Sequence, residues 1–198
     1  MGERRAREER RRAREFEAFV AGAAGRLLHA ATLLTGEPFG AAPAAQDLLV
    51  GALSRTYADW DRLRGEDPYE RTRHDLTARF AHTARRYRRP RGGMLDALPP
   101  QERLMLMLRM YEGVAEEQVA ASLGLPVERV RGLCTRAMAE MLSRGGSREG
   151  GGPRGARPGA ASLIASRMLG GLRHREDAAA AFPARRPAGA GREPGGAA

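Results

Sequence analysis

The sequence predicts an all-α fold, with two small helical domains and unstructured ends, on three observations. Apolar residues recur every three to four positions along successive stretches, with no strand-like alternation. Proline and glycine punctuate those stretches in the order that opens and closes helices. Beyond residue 142 the composition turns to Gly, Pro, Arg and Ala, with too little apolar side chain to offset chain entropy. The predicted order is a charged extension at 1–15, a three-helix domain at 16–88, a short linker at 89–97, a second three-helix domain at 98–142, and a disordered tail at 143–198.

The extension is almost entirely Arg and Glu. Its pairs Glu3–Arg7, Arg4–Glu8, Arg5–Glu9 and Glu8–Arg12 stand four apart, as on a solvated helix that runs on without a break. A frayed charged arm is the other reading. The first packed helix, 16–34, carries Phe16, Phe19, Val20, Ala23, Leu27, Leu28, Ala31 and Leu34 on one stripe. Thr35-Gly36-Glu37-Pro38 ends it. The second, about 44–63, places Leu48, Leu49, Ala52, Leu53, Thr56, Tyr57, Trp60 and Leu63 inward. Gly65 to Pro68 breaks it. The third, about 68–88, turns Tyr69, Thr72, Leu76, Phe80 and Tyr87 inward and Arg71, His74, Arg79, His82, Arg85, Arg86 and Arg89 outward. Arginines interleaved with rings suit a single nucleic-acid strand, whose backbone follows the charge while bases stack. The alternative is core rings beneath a solvated basic face.

The second domain is the more informative. Pro99 and Pro100 open a helix with Leu104, Leu108 and Tyr111 on its apolar side, and Gly113 stops it. Glu116 and Glu117 suit the positive end of a second helix, which buries Val119, Ala120 and Leu123 and ends at Gly124. Pro126 opens the third, whose predicted buried side is Val127, Val130, Cys134, Ala137, Met138 and Met141. A short helix, a Gly-containing turn and a longer second helix form the outline of a helix-turn-helix. In that motif the second helix enters the major groove and leads with its N-terminal residues. Its outer face here carries Glu128, Arg129, Arg131, Gly132, Thr135 and Arg136, which supply guanidinium forks for guanine or phosphate and short groups for base edges.

The totals agree with a polyanionic partner. The 198 residues carry a formal charge of +10, though most of the excess lies in the two ends. Every basic residue is Arg and no Asn occurs, a coding bias rather than a chemical choice. Cys134 is the only cysteine, which excludes an internal disulfide or thiolate cluster and suits a small core residue. His29, His74, His82 and His174 form no ligand spacing, and no nucleophile stands beside a base, so neither an enzyme, a metal nor a cofactor is expected. No run looks apolar over the roughly 18 residues of a membrane span, and the N-terminus lacks a signal core, so the expected site is the cytoplasm with no membrane partner. One apolar island, 160–175, sets Leu163, Ile164, Met168 and Leu172 at helical spacing within the tail.

Several segments resemble a known family. Leu98-Pro99-Pro100-Gln101-Glu102-Arg103, Arg109-Met110-Tyr111-Glu112-Gly113, 116–125, Val130-Arg131 and Arg136-Ala137 resemble region 4 of the extracytoplasmic-function (ECF) RNA polymerase sigma factors, especially the actinobacterial branch. Phe16 and Phe19, 31–36, Asp47-Leu48, Ala52-Leu53, Thr56-Tyr57-Ala58, Trp60 and Pro68-Tyr69 resemble region 2 of the same group. The resemblance implies a factor that brings polymerase core to promoter DNA, with an anti-sigma factor as a further partner. Region 4 would read the minus-thirty-five element. In region 2, Asp47, Leu48, Leu49 and Leu53 would dock on the polymerase clamp, and the next helix, with Arg71, His74, Arg79, Arg85 and Arg86, would capture the melted minus-ten strand. The chain departs from the family in several places. Pro126, Glu128 and Arg129 replace Ser, a small residue and Thr. Val50 and Gly51 replace Gln and Glu, with Ala45 and Gln46 before Asp47, which weakens the usual acidic patch. Leu76 and Thr77 lie where an Asn is usual, and the linker is short. Two rival readings follow: a sigma-derived helix-turn-helix regulator that does not initiate transcription, and an interaction protein that occupies polymerase or an anti-sigma factor.

Overall fold

In the computed structural model, residues 2–63 and 65–149 are described. They form six α-helices: α1 (Gly2–Thr35), α2 (Pro43–Ala58), α3 (Pro68–Thr83), α4 (Pro100–Leu106), α5 (Glu116–Leu123) and α6 (Val127–Glu149). Among the described residues there is no strand. From residue 150 on, the predicted tail and its island at 160–175 lie outside the described residues.

The predicted helix openers work as expected. Proline occupies the first turn of α2, α3 and α4. Asp67 caps α3 by accepting from the Tyr69 amide at 2.8 Å. The opening of α2 is capped from a distance. Glu37, 6% exposed, accepts from the Ala44 and Ala45 amides at 3.2 and 2.9 Å, from the Thr35 hydroxyl at 3.1 Å and from Arg91 at 3.2 Å. A carboxylate at a helix N-terminus meets both free N–H groups and the positive end of the dipole. Gly36 and Gly124 close α1 and α5 at φ of 70° and 62°, in the left-handed region that favours glycine.

Five boundaries differ from expectation. The charged 2–15 segment is helical and continuous with α1. Its Arg12 reaches the Tyr57 carbonyl and pairs with Asp61 at 3.2 Å, which ties the extension to the packed body. The second helix ends at Ala58 and the third at Thr83, each followed by a short 3₁₀ turn, Trp60–Arg62 and Ala84–Tyr87. The fourth helix widens into a π-turn, Met107–Tyr111, where the Glu112 amide reaches back to the Met107 carbonyl at 2.9 Å. The sixth runs past 142 to Glu149. One predicted core residue is misplaced. α6 meets its neighbours through Val130, Leu133 and Ala137, all nearly inaccessible, with Cys134 and Met141 partly buried against the core, whereas Met138, at the edge of that stripe, is 39% exposed.

α2 and α3 pack against α1, and α4 and α5 pack against α6. One large core runs through all of them, from Ala30, Leu33 and Leu34 to Leu76, Phe80, Leu95, Leu104, Met105 and Val130, and a smaller one gathers Ala23, Leu27 and Leu49. The 89–97 segment is strapped down across this junction: the Gly93 amide donates to the Gly36 carbonyl at 2.9 Å, and Leu95 is 2% exposed. The largest fully buried side chain among the described residues is Arg103, at 0% exposure. It donates to the carbonyls of Leu98, Leu34 and Asp96 at 2.9, 3.2 and 3.0 Å. α1 also holds an 18-residue window long and apolar enough to cross a membrane by composition, contrary to the sequence expectation. In this fold Ala23, Leu27, Ala30, Leu33 and Leu34 of that helix are buried against α2, α3 and α4.

Glu37→Ala should lower unfolding stability by about 2 kcal/mol, since two orphan α2 amides and Arg91 lose their acceptor together. A urea titration followed by circular dichroism measures it. A midpoint equal to the parent's would show that water caps α2 equally well.

Candidate nucleic-acid interface

The helix-turn-helix is assembled by α5 and α6. Ala115 precedes α5 in an extended conformation, Gly124 makes the turn, and the Leu125 amide bonds the Ala120 carbonyl at 2.9 Å. Val119, Ala120 and Val130 lock the two helices from beneath. This leaves Glu128, Arg129, Arg131, Thr135 and Arg136 exposed, as the periodicity predicted, while Gly132 is half-buried.

These side chains are not equally free. Arg131 donates to both oxygens of Glu128, at 2.9 and 3.1 Å, and from two nitrogens to Glu116 at 3.2 Å. Glu128 first, then Glu116, push its pKa above the usual arginine value. It therefore clasps α5 to α6. Glu116 also meets Arg109 at 3.6 Å, so one carboxylate gathers the two arginines. Arg136 lies 3.5 Å from Glu102 of α4 while staying 62% exposed. Arg129, in the leading turn, has no ion pair among the described residues. The sequence pattern ranked these arginines by position alone; the structure ranks them by partner.

The α3 face divides in the same way. His74, Arg79, His82, Arg85, Arg86 and Arg89 are exposed. Arg71 instead bridges Asp59 at 3.0 Å and Asp75 at 3.2 Å, which hold its pKa above the usual value. The rings expected to stack on bases are not presented. Phe80 and Tyr87 are 1% and 7% exposed and stack on each other with centroids 5.4 Å apart. Tyr69 is half-buried, with its hydroxyl on Glu112. Apolar recurrence and base-stacking recurrence share one spacing, which is why the sequence left both readings open.

On α2, Asp47 is exposed as expected, but Leu48 and Leu49 are not available to a partner. They are 5% and 6% exposed and belong to the core, and Leu53 is half-buried. The helix presents Asp47, Val50 and Ser54 instead. Val50, 61% exposed, lies off the predicted inward stripe, and the sequence reading named it only as replacing a family Gln. At Gly51 a Cβ would meet the Arg79 guanidinium, the far end of an exposed and flexible side chain that can move aside.

Sequence reasoning also missed a buried polar knot. The Glu112 side chain has 0% exposure. It accepts from the Tyr69 hydroxyl at 2.9 and 3.1 Å and from Arg26 at 3.3 Å, with Arg73 at 3.7 Å. Burial, and then the Glu112 charge, push the Tyr69 phenol well above its usual range. The only sequence signal was an acid placed directly before a helix-stopping glycine. Among the described residues, no cluster of His, Cys, Asp and Glu could hold a metal ion.

Residues 94–141 match the family model described as sigma-70, region 4. The chain is also 30% identical over 152 residues to the RNA polymerase sigma-E factor of Streptomyces coelicolor (strain ATCC BAA-471 / A3(2) / M145), an alignment that covers 64% of this chain and 84% of that protein. No solved structure matches the chain.

Because Arg71 is committed to Asp59 and Asp75, Arg71→Ala should act on stability, at about 1 kcal/mol, and leave duplex affinity unchanged. Chemical unfolding paired with a DNA titration separates the two effects. A loss of affinity at equal stability would return Arg71 to the interface.

Proposed function

Since the chain belongs to the ECF RNA polymerase sigma factors, and so directs polymerase to promoters for transcription initiation, we propose a division of that work among its surfaces. The leading turn of α6 reads the upstream promoter element. The basic end of α3, with His74, Arg79, Arg85 and Arg86, holds the backbone of the downstream element after strand separation. The α2 face, with Asp47 beside Val50, docks on core. The observation that carries this reading is the unpaired Arg129 at the entry of a region 4 helix-turn-helix. A bidentate arginine–guanine contact discriminates by about 1–3 kcal/mol, whereas a phosphate contact adds affinity without choice. Arg136, long and exposed beside Glu102, suits the second role. Arg131 suits neither while it clasps Glu116 and Glu128.

The partners in this reading are polymerase core, promoter DNA and an anti-sigma factor, and the place is the cytoplasm. The function is binding and strand capture, not bond chemistry: a flipped, unstacked base costs a few kcal/mol, and contacts to the captured strand offset it. With the rings of α3 in the core, those contacts come from charge and hydrogen bonds.

Two experiments test the assignments. Run-off transcription with Streptomyces coelicolor core should require this chain, and Asp47→Arg should reduce both transcript and co-purification with core at unchanged helical content. Undiminished co-purification would remove Asp47 from the docking face. In selection from a random DNA library, Arg129→Ala should lose preference at one or two base pairs, whereas Arg136→Ala should weaken all sequences alike and flatten the salt dependence. An Arg129→Ala protein that selects the parent motif with parental sharpness would show that Arg129 does not read bases.

A further inference from the structure

The amino-terminal extension is more ordered than its composition requires. A stretch of Arg and Glu this short is marginal as an isolated helix, yet 2–15 is helical and continuous with α1. One side of it is anchored. Arg12 donates to the Tyr57 carbonyl, lies over the Tyr57 ring at 4.5 Å from the centroid, and pairs with Asp61 at 3.2 Å. One turn further on, Phe16 packs against Tyr57 and Trp60, with centroids 4.8 and 5.1 Å apart. These contacts fix how the helix is rolled about its own axis.

That roll sets a row of arginines on the far side. Arg4, Arg7, Arg11 and Arg14 stand three, four and three apart, the spacing of one helix face, and all four are exposed. Arg7 meets Glu3 at 4.0 Å and Arg11 meets Glu15 at 3.6 Å. Such exposed pairs are weak, so a stronger anion can displace them. Among the described residues, Arg4 and Arg14 have no ion pair. Over 2–15, seven Arg stand against four Glu, so internal pairing leaves an excess of positive charge. Like charges three or four apart on a helix repel, and an anion along the row relieves that repulsion.

The row fits one kind of partner. From Arg4 to Arg14 a helix rises about 15 Å. Over that length one strand of a duplex presents about four phosphates, at about 3.4 Å each along the axis. Guanidinium groups hold phosphate oxygens by charge-assisted hydrogen bonds. The row offers no ring to an unpaired base. The nearby Phe16, Phe19, Tyr57 and Trp60 are half-buried and pack on one another. Arginine without stacking rings suits a duplex backbone better than a single strand.

We propose that the amino-terminal helix is a further DNA-binding surface, on which Arg4, Arg7, Arg11 and Arg14 track the phosphates of duplex DNA without reading sequence. It lies on neither α3 nor α6 and adds to the surfaces assigned above. Because it selects no sequence, it is tested on non-promoter duplex without polymerase, and its outcome is separate from that of promoter reading.

The test follows a labelled non-promoter duplex by fluorescence anisotropy as the full chain is added, at several salt concentrations. Two variants are compared with the parent, with helical content checked by circular dichroism. The first combines Arg4→Gln, Arg7→Gln, Arg11→Gln and Arg14→Gln. The second combines Arg11→Glu with Glu9→Arg, which moves one charge off the row at constant net charge. The first should bind at least about tenfold more weakly at about 0.1 M salt. Its slope of log K against log salt should flatten by up to about 3.6, at about 0.9 per phosphate contact. The second should also bind more weakly than the parent. Parental affinity and slope in the first variant would overturn the proposal. A second variant that binds like the parent would overturn it too, because net charge alone would then set affinity. So would a first variant that keeps its grip on duplex while losing labelled single-stranded DNA or poly-glutamate, since the row would then serve a different partner.

Discussion

A guanidinium with no solvent exposure ties the middle of the molecule together. Arg103 meets three backbone carbonyls, one each from the end of α1, the 89–97 strap and the start of α4. Its donors radiate in a plane, so they fix three chain segments at once, as a lysine ammonium would not. Those carbonyls lie at a helix end and in a loop, where no helical ladder satisfies them. Burial lowers the pKa of the group, but an arginine in a protein keeps its proton, so the charge stays and the carbonyls must stay with it. The closed arrangement of the two halves follows from this demand as much as from the apolar core around it.

Glu37 and Glu112 repeat the logic with opposite sign. Each is a nearly buried carboxylate surrounded by donors from distant segments. Glu37 joins α1, α2 and the strap; Glu112 joins the π-turn to α1 and α3. Beside the second knot, His29 lies between the rings of Phe39 and Tyr111, with centroids 4.4 and 4.8 Å away, and burial lowers its pKa. The junction between the two predicted halves is thus unusually polar for a buried surface. That polarity favours one register of the halves over others, because a shifted register would strand a charge.

Helix class, the proline-opened starts and the glycine-closed ends were legible because local chemistry decides them. Pro43, Pro68 and Pro100 open helices, Gly36 and Gly124 close them, and the 3.6-residue stripe shows which face turns inward. The tertiary use of each residue was harder to read. Leu48 and Leu49 sit on an apolar stripe, and nothing local distinguishes a leucine for the core from one for a partner. Met138 and Leu133 are both apolar and five apart on α6, on opposite edges of the stripe centred on Val130 and Ala137; only where α4 and α5 sit against that stripe decides which edge is covered. Arg103 and Glu112 read as surface residues because charged side chains usually are. Their burial depends on acceptors and donors at Leu34, Arg26 and Tyr69, far away in sequence, and so beyond any window-based pattern.

The same limit applies to charge. A total of +10 suggests a basic protein, yet its arginines do different work according to their neighbours. Arg71, Arg91, Arg131 and Arg136 face carboxylates within 4.0 Å, and the first three act as cross-links between elements. Among the described residues, Arg79, Arg85, Arg86, Arg88 and Arg89 have no such partner, and they crowd the end of α3 and the turn that follows it. Arg129 stands apart from them at the entry of α6. Phosphate contacts position a protein on DNA, whereas base contacts specify the site. A crowded basic patch at one end and a single uncommitted arginine at the reading helix therefore imply an uneven division. In the proposed reading, most of the affinity would come from the α3 end and depend on salt. Sequence choice would then rest on few groups, and so on how firmly Pro126, Glu116 and the Arg131 clasp hold the leading turn of α6.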